Sequence, residues 1–156
     1  MGEPAAADTL RLSSRLADLA RLYPWLADAA ARHGLPPRVV FAMQVALEEA
    51  AGNAARHGFA PGAAGEIAVW LTSGADEAAL VVADTGAPFN PILAAPRSPP
   101  TRITDMDPGG QGLRLLRHYC SAVSYERRDG WNQLTLRFAL PGRDARGQGP
   151  SPSRER

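Results

Sequence analysis

The chain has 156 residues, of which 45% are hydrophobic, and a formal net charge of +1 at pH 7. This length and apolar content predict one domain with a single sizeable core. The near-neutral charge argues against a direct nucleic-acid partner, because proteins that bind the phosphate backbone carry a broad basic excess. All 17 basic residues are arginine, which excludes chemistry that depends on a phosphate-loop lysine.

The cysteine count and the chain ends indicate the compartment. Cys120 is the single cysteine and cannot form an internal disulfide, and residues 1–8 contain neither a basic leader nor an apolar core. We therefore expect a cytoplasmic protein, and no apolar run suggests a membrane segment. Residues 1–8 are small and polar, and residues 141–156 are rich in Pro, Gly, Ser and Arg, so both ends are predicted to be disordered around a domain of residues 9–140.

The first half of the chain predicts a strand and two helices. "TLRLS", from Thr9, suits a short strand, and leucines recur at three- and four-residue spacing over residues 14–32. Pro24 is expected to kink or restart that helix, and Gly34 to end it. A second helix is predicted over residues 39–57, after two prolines that suit a first turn.

The second half predicts two hairpins separated by a long loop and a helix. "EIAVWLT" and "AALVVAD" are β-branched runs joined by "SGADE". A proline-rich stretch without periodicity follows, and a loop of that length in a small domain is usually functional or disordered. "GQGLRLLRHYC" predicts a helix, and the last hairpin turns at Asp129-Gly130. The order indicates an α+β fold with a mainly antiparallel sheet and helices on one face.

The second helix carries a polar stripe in an alanine-rich segment, "ALEEAAGNAARHGF". Glu49, Asn53 and His57 are spaced by four, so each lies about 40° around the helix axis from the last. On an arbitrary helix such a stripe is ordinarily the solvent face. A functional interpretation therefore depends on other segments of the chain.

Two further segments carry candidate site residues. In "VVADTGAPFNP" a strand ends at Asp84, whose carboxylate can accept from an exocyclic amine, and Gly86 lets a flat ring approach. Local turn preferences explain the same residues. In "DPGGQGLRLL", Gly109, Gly110 and Gly112 precede a helix, which suits phosphate binding, although a flexible loop before a helix explains them equally.

Together these segments resemble the GHKL ATPase superfamily, and within it the small bacterial anti-sigma factor serine/threonine kinases of the RsbW type. "LEEAAGNAARHGF" resembles the N box, "DTGAPFNP" the first glycine box and "GGQGLRLLRHY" the second, while "DGWNQLTLRF" is similar to the closing strands. The resemblance covers roughly Thr9 to Leu140. It implies a two-layer α/β sandwich of the Bergerat type, with nucleotide between the layers under a mobile lid at about residues 91–108.

The resemblance also implies residue roles. Asn53 is placed on Mg²⁺, which bridges the ATP phosphates, a role that suits an ion needing only one or two protein oxygens. Glu49 matches the catalytic carboxylate that takes or orients the proton of an attacking hydroxyl. Asp84 is expected to accept from the adenine amine, and Gly86 to make room for the ring.

The remaining implied contacts lie around these residues. Gly109, Gly110, Gly112 and Leu113 are expected to surround the phosphates, and Thr135 matches a strand threonine that supports the adenine-reading aspartate. Strand propensity alone explains Thr135 equally well. His57 suits either a contact near the nucleotide or a helix C-terminal cap.

Three functions follow from the resemblance. The first is a kinase that moves the ATP γ-phosphate to a STAS-type anti-anti-sigma protein and otherwise sequesters a sigma factor. The second is a non-catalytic ATP-binding module that gates a protein partner, and the third is a scaffold whose nucleotide boxes have decayed.

A homodimer is expected through the first strand and helix, where Trp25 serves as an interface or a core residue. At Gly52 the proteins that this chain resembles often carry threonine or another small side chain, and this departure puts lid or phosphate contacts at that position in doubt.

Overall fold

The computed structural model describes residues 8–93 and 112–142 of the chain. Within these ranges three α-helices, one 3-10 helix and five strands follow one another. The elements are β1 (Asp8–Ser13), a 3-10 helix (Leu16–Arg21), α1 (Leu22–Arg32), α2 (Pro37–His57), β2 (Glu66–Ser73), β3 (Glu77–Asp84), α3 (Gly112–Tyr119), β4 (Ala122–Arg128) and β5 (Trp131–Ala139).

The five strands form one antiparallel sheet in the order β1-β2-β3-β5-β4. Both predicted hairpins are present, as β2-β3 and β4-β5. The pairing of β3 with β5 joins the two hairpins and sets Asp84 opposite Asn132. The helices pack on one face of this sheet, so the predicted two-layer α+β architecture is confirmed.

The core lies between the helices and the sheet. Alternate residues of each central strand face the helices, as expected for a sheet with one covered face. The largest fully buried side chains come from both layers: Leu26, Met43, Leu47, Ile67, Val69, Leu71, Leu80, Leu116 and Leu136. Trp25 is partly buried and packs against this core.

The leucine-rich first helix is divided before its proline. The 3-10 helix ends at Arg21 and α1 begins at Leu22, so Pro24 lies in the first turn of α1. A proline is tolerated there because the first helical N–H groups have no intrahelical partner. Gly34 adopts a φ of 60° after α1, and Pro37 is the first residue of α2.

The chain ends differ slightly from the predicted boundaries. β1 begins at Asp8, one residue earlier than expected, because Asp8 already pairs with Leu71 of β2, and its carboxylate also contacts the end of α1. Arg32 donates to its Oδ1 from Nε and Nη2 at 3.0 and 2.6 Å, and His33 Nε2 lies 2.8 Å from Oδ2.

Residues 1–7, 94–111 and 143–156, which include most of the predicted lid and tail, lie outside the described residues. Within the described ranges, none of the helices has the apolar length needed to cross a bilayer.

Candidate nucleotide site

The stripe on α2 faces the start of α3. Asn53 Nδ2 donates to Glu49 Oε1 at 2.9 Å, and both side chains are half-buried. This bond leaves the amide oxygen of Asn53 as the atom that can ligate a hard cation. His57 is exposed and is the last residue of α2, which is compatible with both of its predicted roles.

Gly112, the first residue of α3, lies directly against Glu49. A Cβ atom on Gly112 would overlap the Glu49 carboxylate, so the glycine lets the Glu49 side chain lie directly against the start of α3. The backbone N–H groups of the first turn of α3, which includes the half-buried Leu113, have no intrahelical acceptor. The predicted catalytic carboxylate and helix start are therefore adjacent. Gly109 and Gly110 lie outside the described residues.

Asp84 ends β3 on the helix-facing side of the sheet. Its side chain is buried, and its Oδ1 accepts from the Gly86 backbone N–H at 2.8 Å and from Asn132 Nδ2 at 2.9 Å. The hydrogen bonds that described residues donate to this carboxylate both end on Oδ1. The second oxygen, Oδ2, has no partner among those residues and can accept from a ligand amine.

Asn132, which was not predicted from the sequence, is a candidate site residue because its Nδ2 donates to Asp84. Its Nδ2 also donates to the Ala87 carbonyl at 2.9 Å, and its Oδ1 accepts from Tyr125 Oη and Arg127 Nη1, each at 2.8 Å. Arg127 Nη1 also reaches the Gly86 carbonyl at 3.2 Å. Because both ends of the amide are bonded, Asn132 has one orientation and fixes Asp84 in turn.

The expected role of Thr135 is corrected by the register of β5. Thr135 pairs with Val81, which belongs to the apolar cluster on the sheet face away from the helices. Leu134 and Leu136, on either side of Thr135, are both buried in the core between the layers. Thr135 therefore lies on the opposite face from Asp84, and the strand residue that supports Asp84 is Asn132.

Gly86 is needed for close packing between the turn and the end of α2. A Cβ atom on Gly86 would overlap the Gly58 carbonyl oxygen and lie 2.7 Å from Asp84 Oδ1. The Ala87 N–H donates to the same Gly58 carbonyl at 3.0 Å. The turn after β3 is thus fixed to the residue after α2, which places Asp84 beside the C-terminal end of the polar stripe.

Gly52 lies beneath the Arg56 side chain, on a side of α2 away from this site. A Cβ atom there would lie 2.9 Å from Arg56 Nη2, because the Arg56 side chain folds back over the glycine. Both residues line a cavity of about 150 Å³ between α2 and the first helical segments, together with Tyr23 and Glu48. The hydrogen bond with Glu48 raises the pKa of Tyr23. Glu48 therefore points away from Glu49, as its position on the helix predicts.

The residues fit a magnesium nucleotide at two points. Asp84 presents an open carboxylate oxygen, and Asn53 presents an amide oxygen of the kind that Mg²⁺ accepts beside phosphates and waters. Glu49 and Gly58, which contacts the turn after Asp84, are nine positions apart, about 13 Å along α2. No cluster of three His, Cys, Asp or Glu side chains suited to a metal occurs in residues 8–93 and 112–142.

Comparison with known proteins identifies the class to which this fold and site belong. The family model of the histidine kinase-like ATPase domain matches residues 12–138. The chain therefore belongs to this family, and the predicted GHKL membership is confirmed. Among curated proteins it is 40% identical over 131 residues to the serine/threonine-protein kinase BtrW of Bordetella bronchiseptica, covering 83% of this chain and 91% of that protein. That relationship confirms the expected serine/threonine kinase branch of the superfamily.

A solved structure supports the same fold. The RsbU and RsbW domains of a Mycobacterium tuberculosis protein align with a TM-score of 0.59 at 18% identity. The alignment covers 86% of this chain and 34% of the other, so the chain spans about a third of that longer protein. At 18% identity, this similarity shows that the two proteins share a fold.

Proposed function

We propose that this protein is an ATP-dependent serine/threonine kinase that phosphorylates a STAS-type anti-anti-sigma protein and otherwise sequesters a sigma factor. The observation that carries the proposal is the contact of Glu49 with Gly112 at the start of α3. It places a carboxylate beside the helix end that suits an anionic phosphate. The 40% identity to a serine/threonine-protein kinase supports the reaction class.

ATP is the substrate in this proposal, with its base at Asp84 and its phosphates at α3. Asp84 Oδ2 accepts from the adenine amine, while Asn132 holds the carboxylate in place. Gly86 borders the ring, and the backbone N–H groups from Gly109 to Leu113 donate to phosphate oxygens. His57, exposed at the end of α2, contacts the nucleotide or caps the helix.

Asn53 would hold Mg²⁺ through its amide oxygen, and the bound ion would neutralise and orient the phosphate oxygens. Glu49 accepts the proton of the serine or threonine hydroxyl as its oxygen attacks the γ-phosphorus. The bond from the γ-phosphorus to the bridging oxygen breaks, and ADP leaves with that electron pair. The hydrogen bond from Asn53 keeps the Glu49 carboxylate oriented for this transfer.

The proposal also includes protein partners, a cell compartment and a homodimer. The STAS protein and the sigma factor are the expected protein partners, and the cell compartment is the cytoplasm. A homodimer through β1 and α1 is part of the same proposal, since β1 lies at one edge of the sheet. The lid of residues 91–108 would cover the nucleotide.

Two measurements test the proposal. The first is a calorimetric titration with ATP, with and without Mg²⁺, of the natural chain, Asp84→Asn and Asn53→Ala. We expect magnesium-dependent binding that both substitutions weaken. The second is transfer of label from γ-labelled ATP to STAS-domain proteins of the same organism.

The outcomes separate three functions. Binding together with transfer supports the kinase. Binding without transfer to any of the STAS proteins favours a non-catalytic module that gates a partner. No binding by the well-folded natural chain would exclude both and leave a protein-interaction scaffold.

A further inference from the structure

The end of the helical layer away from Glu49 carries an exposed aromatic surface. Phe41 on α2 is 56% exposed, and its ring meets Tyr119 of α3 edge to face, with centroids 5.9 Å apart. The neighbouring His118 ring also meets Tyr119 edge to face, with centroids 4.9 Å apart. Three consecutive rings therefore bridge the start of α2 and the end of α3.

Two exposed arginines lie on the same two helices as these rings. Arg38 lies one turn before Phe41, and Arg114 lies one turn before His118, and both are exposed. Neither forms an ion pair within residues 8–93 and 112–142, whereas Arg11, Arg32 and Arg137 pair with Glu66, Asp8 and Glu77. α3 contains no acidic residue, and the first on α2 is Glu48. Among the described residues, this surface therefore carries positive charge with no ion-paired carboxylate.

We infer that the patch formed by Arg38, Phe41, Arg114, His118 and Tyr119 is a docking site for an acidic segment of a partner protein. An apolar side chain of that segment would cover the Phe41 ring. Aspartate or glutamate residues beside it would pair with Arg38 and Arg114. Aromatic and arginine side chains together are the composition that dominates binding energy at protein interfaces.

The chemistry of the patch favours a protein over the other anionic partners. The chain carries a net charge of only +1, far from the broad basic field of a nucleic-acid binder. A membrane-surface helix needs an extended exposed apolar face, whereas the apolar side of α3 is turned inward, with Leu116 buried. A small patch with one exposed aromatic anchor and two flanking cations matches a peptide segment.

The patch is separate from the nucleotide site but shares its two helices. Gly112 meets Glu49 at one end of α3, and Tyr119 meets Phe41 at the other, about 10 Å along the helix. A partner on the patch leaves Asp84 and Glu49 uncovered. The inference does not depend on phosphoryl transfer, so it can fail or hold independently of the proposed kinase activity.

Peptide selection on the full-length chain tests the docking site. Random peptides displayed on phage are selected on the natural chain after depletion on Phe41→Ser. We expect the selected peptides to place an apolar residue beside Asp or Glu. Synthetic peptides, measured by fluorescence anisotropy, should bind about tenfold more weakly to Phe41→Ser, Arg38→Glu and Arg114→Glu than to the natural chain.

Matched variants on other surfaces are the controls. Phe89 has the same 56% exposure as Phe41, and Arg128 is an exposed arginine on β4, so Phe89→Ser and Arg128→Glu should bind as the natural chain does. Melting curves identify a variant that fails to fold, and the two exposed arginine substitutions then decide the result. The proposal is overturned by an absence of selected peptides, by equal binding to patch and control variants, or by patch-dependent binding of phosphatidylglycerol vesicles or single-stranded DNA instead.

Discussion

Asp84 and Asn132 lie opposite each other on the neighbouring strands β3 and β5, and the Asn132 amide donates to Asp84 Oδ1 at 2.9 Å. The contact links the last residue of β3, in the first hairpin, to the start of β5, in the second hairpin. Both residues are buried on the helix-facing side of the sheet. The orientation of the proposed adenine-reading carboxylate is thus set by a residue 48 positions away in the sequence.

Asn132→Ala is therefore expected to weaken ATP binding by about tenfold or more. Removing the amide leaves the buried Asp84 oxygen with one donor fewer, and a hydrogen bond to a charged group contributes roughly 1.5–3 kcal/mol. Calorimetric titration with ATP measures the effect. Thr135→Val, on the opposite face, is the control and should bind ATP as the natural chain does. Equal losses in the two variants would contradict the assignment of Asn132.

The sequence predicted the architecture because each element carries a local signal. Leucine spacing marked the helices, β-branched runs marked the strands, and Asp129-Gly130 marked the turn, where both residues adopt positive φ. The pairing of β3 with β5 is not a local property, so the neighbour of Asp84 was not predicted. The alternation of Leu134, Leu136 and Phe138 did contain the signal that Thr135 faces away from the core.

Only those parts of the candidate site that depend on local sequence spacing could be predicted. The spacing of Glu49 and Asn53 on one helix fixed their proximity, and the structure shows their hydrogen bond. The contact of Gly112 with Glu49 depends on how α3 returns to α2 after the long loop, which no local pattern encodes. Tyr125 and Arg127 reach Asn132 only because the β4-β5 register brings them there.

Glu49→Gln is predicted to reduce phosphoryl transfer by about 10²–10⁴-fold while ATP binding stays close to that of the natural chain. The substitution keeps the shape of the side chain but removes the base that takes the hydroxyl proton. Single-turnover transfer of label from γ-labelled ATP to the unphosphorylated STAS protein measures the rate. Glu48→Gln is the matched control, since Glu48 bonds to Tyr23 on another side of α2. Equal rates for Glu49→Gln and Glu48→Gln would remove Glu49 from catalysis.

Gly112→Ala should slow phosphoryl transfer by about 10²-fold, because the new methyl group would overlap the Glu49 carboxylate. Either the carboxylate or α3 must shift, and a displacement of about 1 Å at reacting groups costs on the order of this factor. Overpacking should also lower the free energy of unfolding by roughly 1–3 kcal/mol. Transfer assays and urea unfolding measure both effects. Gly142→Ala, where a Cβ meets open space, should change neither, and unchanged transfer in Gly112→Ala would refute the close contact.

Cys120 is predicted to be unreactive in the folded protein. Burial raises the pKa of its thiol to about 11, so only about 10⁻³ of the thiol is ionised at pH 8. Iodoacetamide at pH 8 should label the chain slowly until denaturant exposes the thiol, whose ordinary pKa is about 8.5. Mass spectrometry follows the labelling. Rapid modification without denaturant would show that the thiol between α3 and β4 is open to solvent.

Asp8 is predicted to contribute to stability at neutral pH and to lose that contribution in acid. The hydrogen bonds from Arg32, followed by the contact with His33, hold the pKa of the Asp8 carboxyl below its ordinary value of 3.8. A carboxyl whose folded pKa is lowered stabilises the fold above its unfolded pKa, and the effect disappears as pH falls through the lowered value. Asp8→Asn should therefore reduce the free energy of unfolding by up to about 1 kcal/mol at pH 7, since the ion pair is partly exposed.

Urea unfolding at pH 7 and below pH 3.8 measures this difference, with Asp28→Asn on the exposed side of α1 as the control. An effect of Asp8→Asn that is as large below pH 3.8 as at pH 7 would contradict the assigned role.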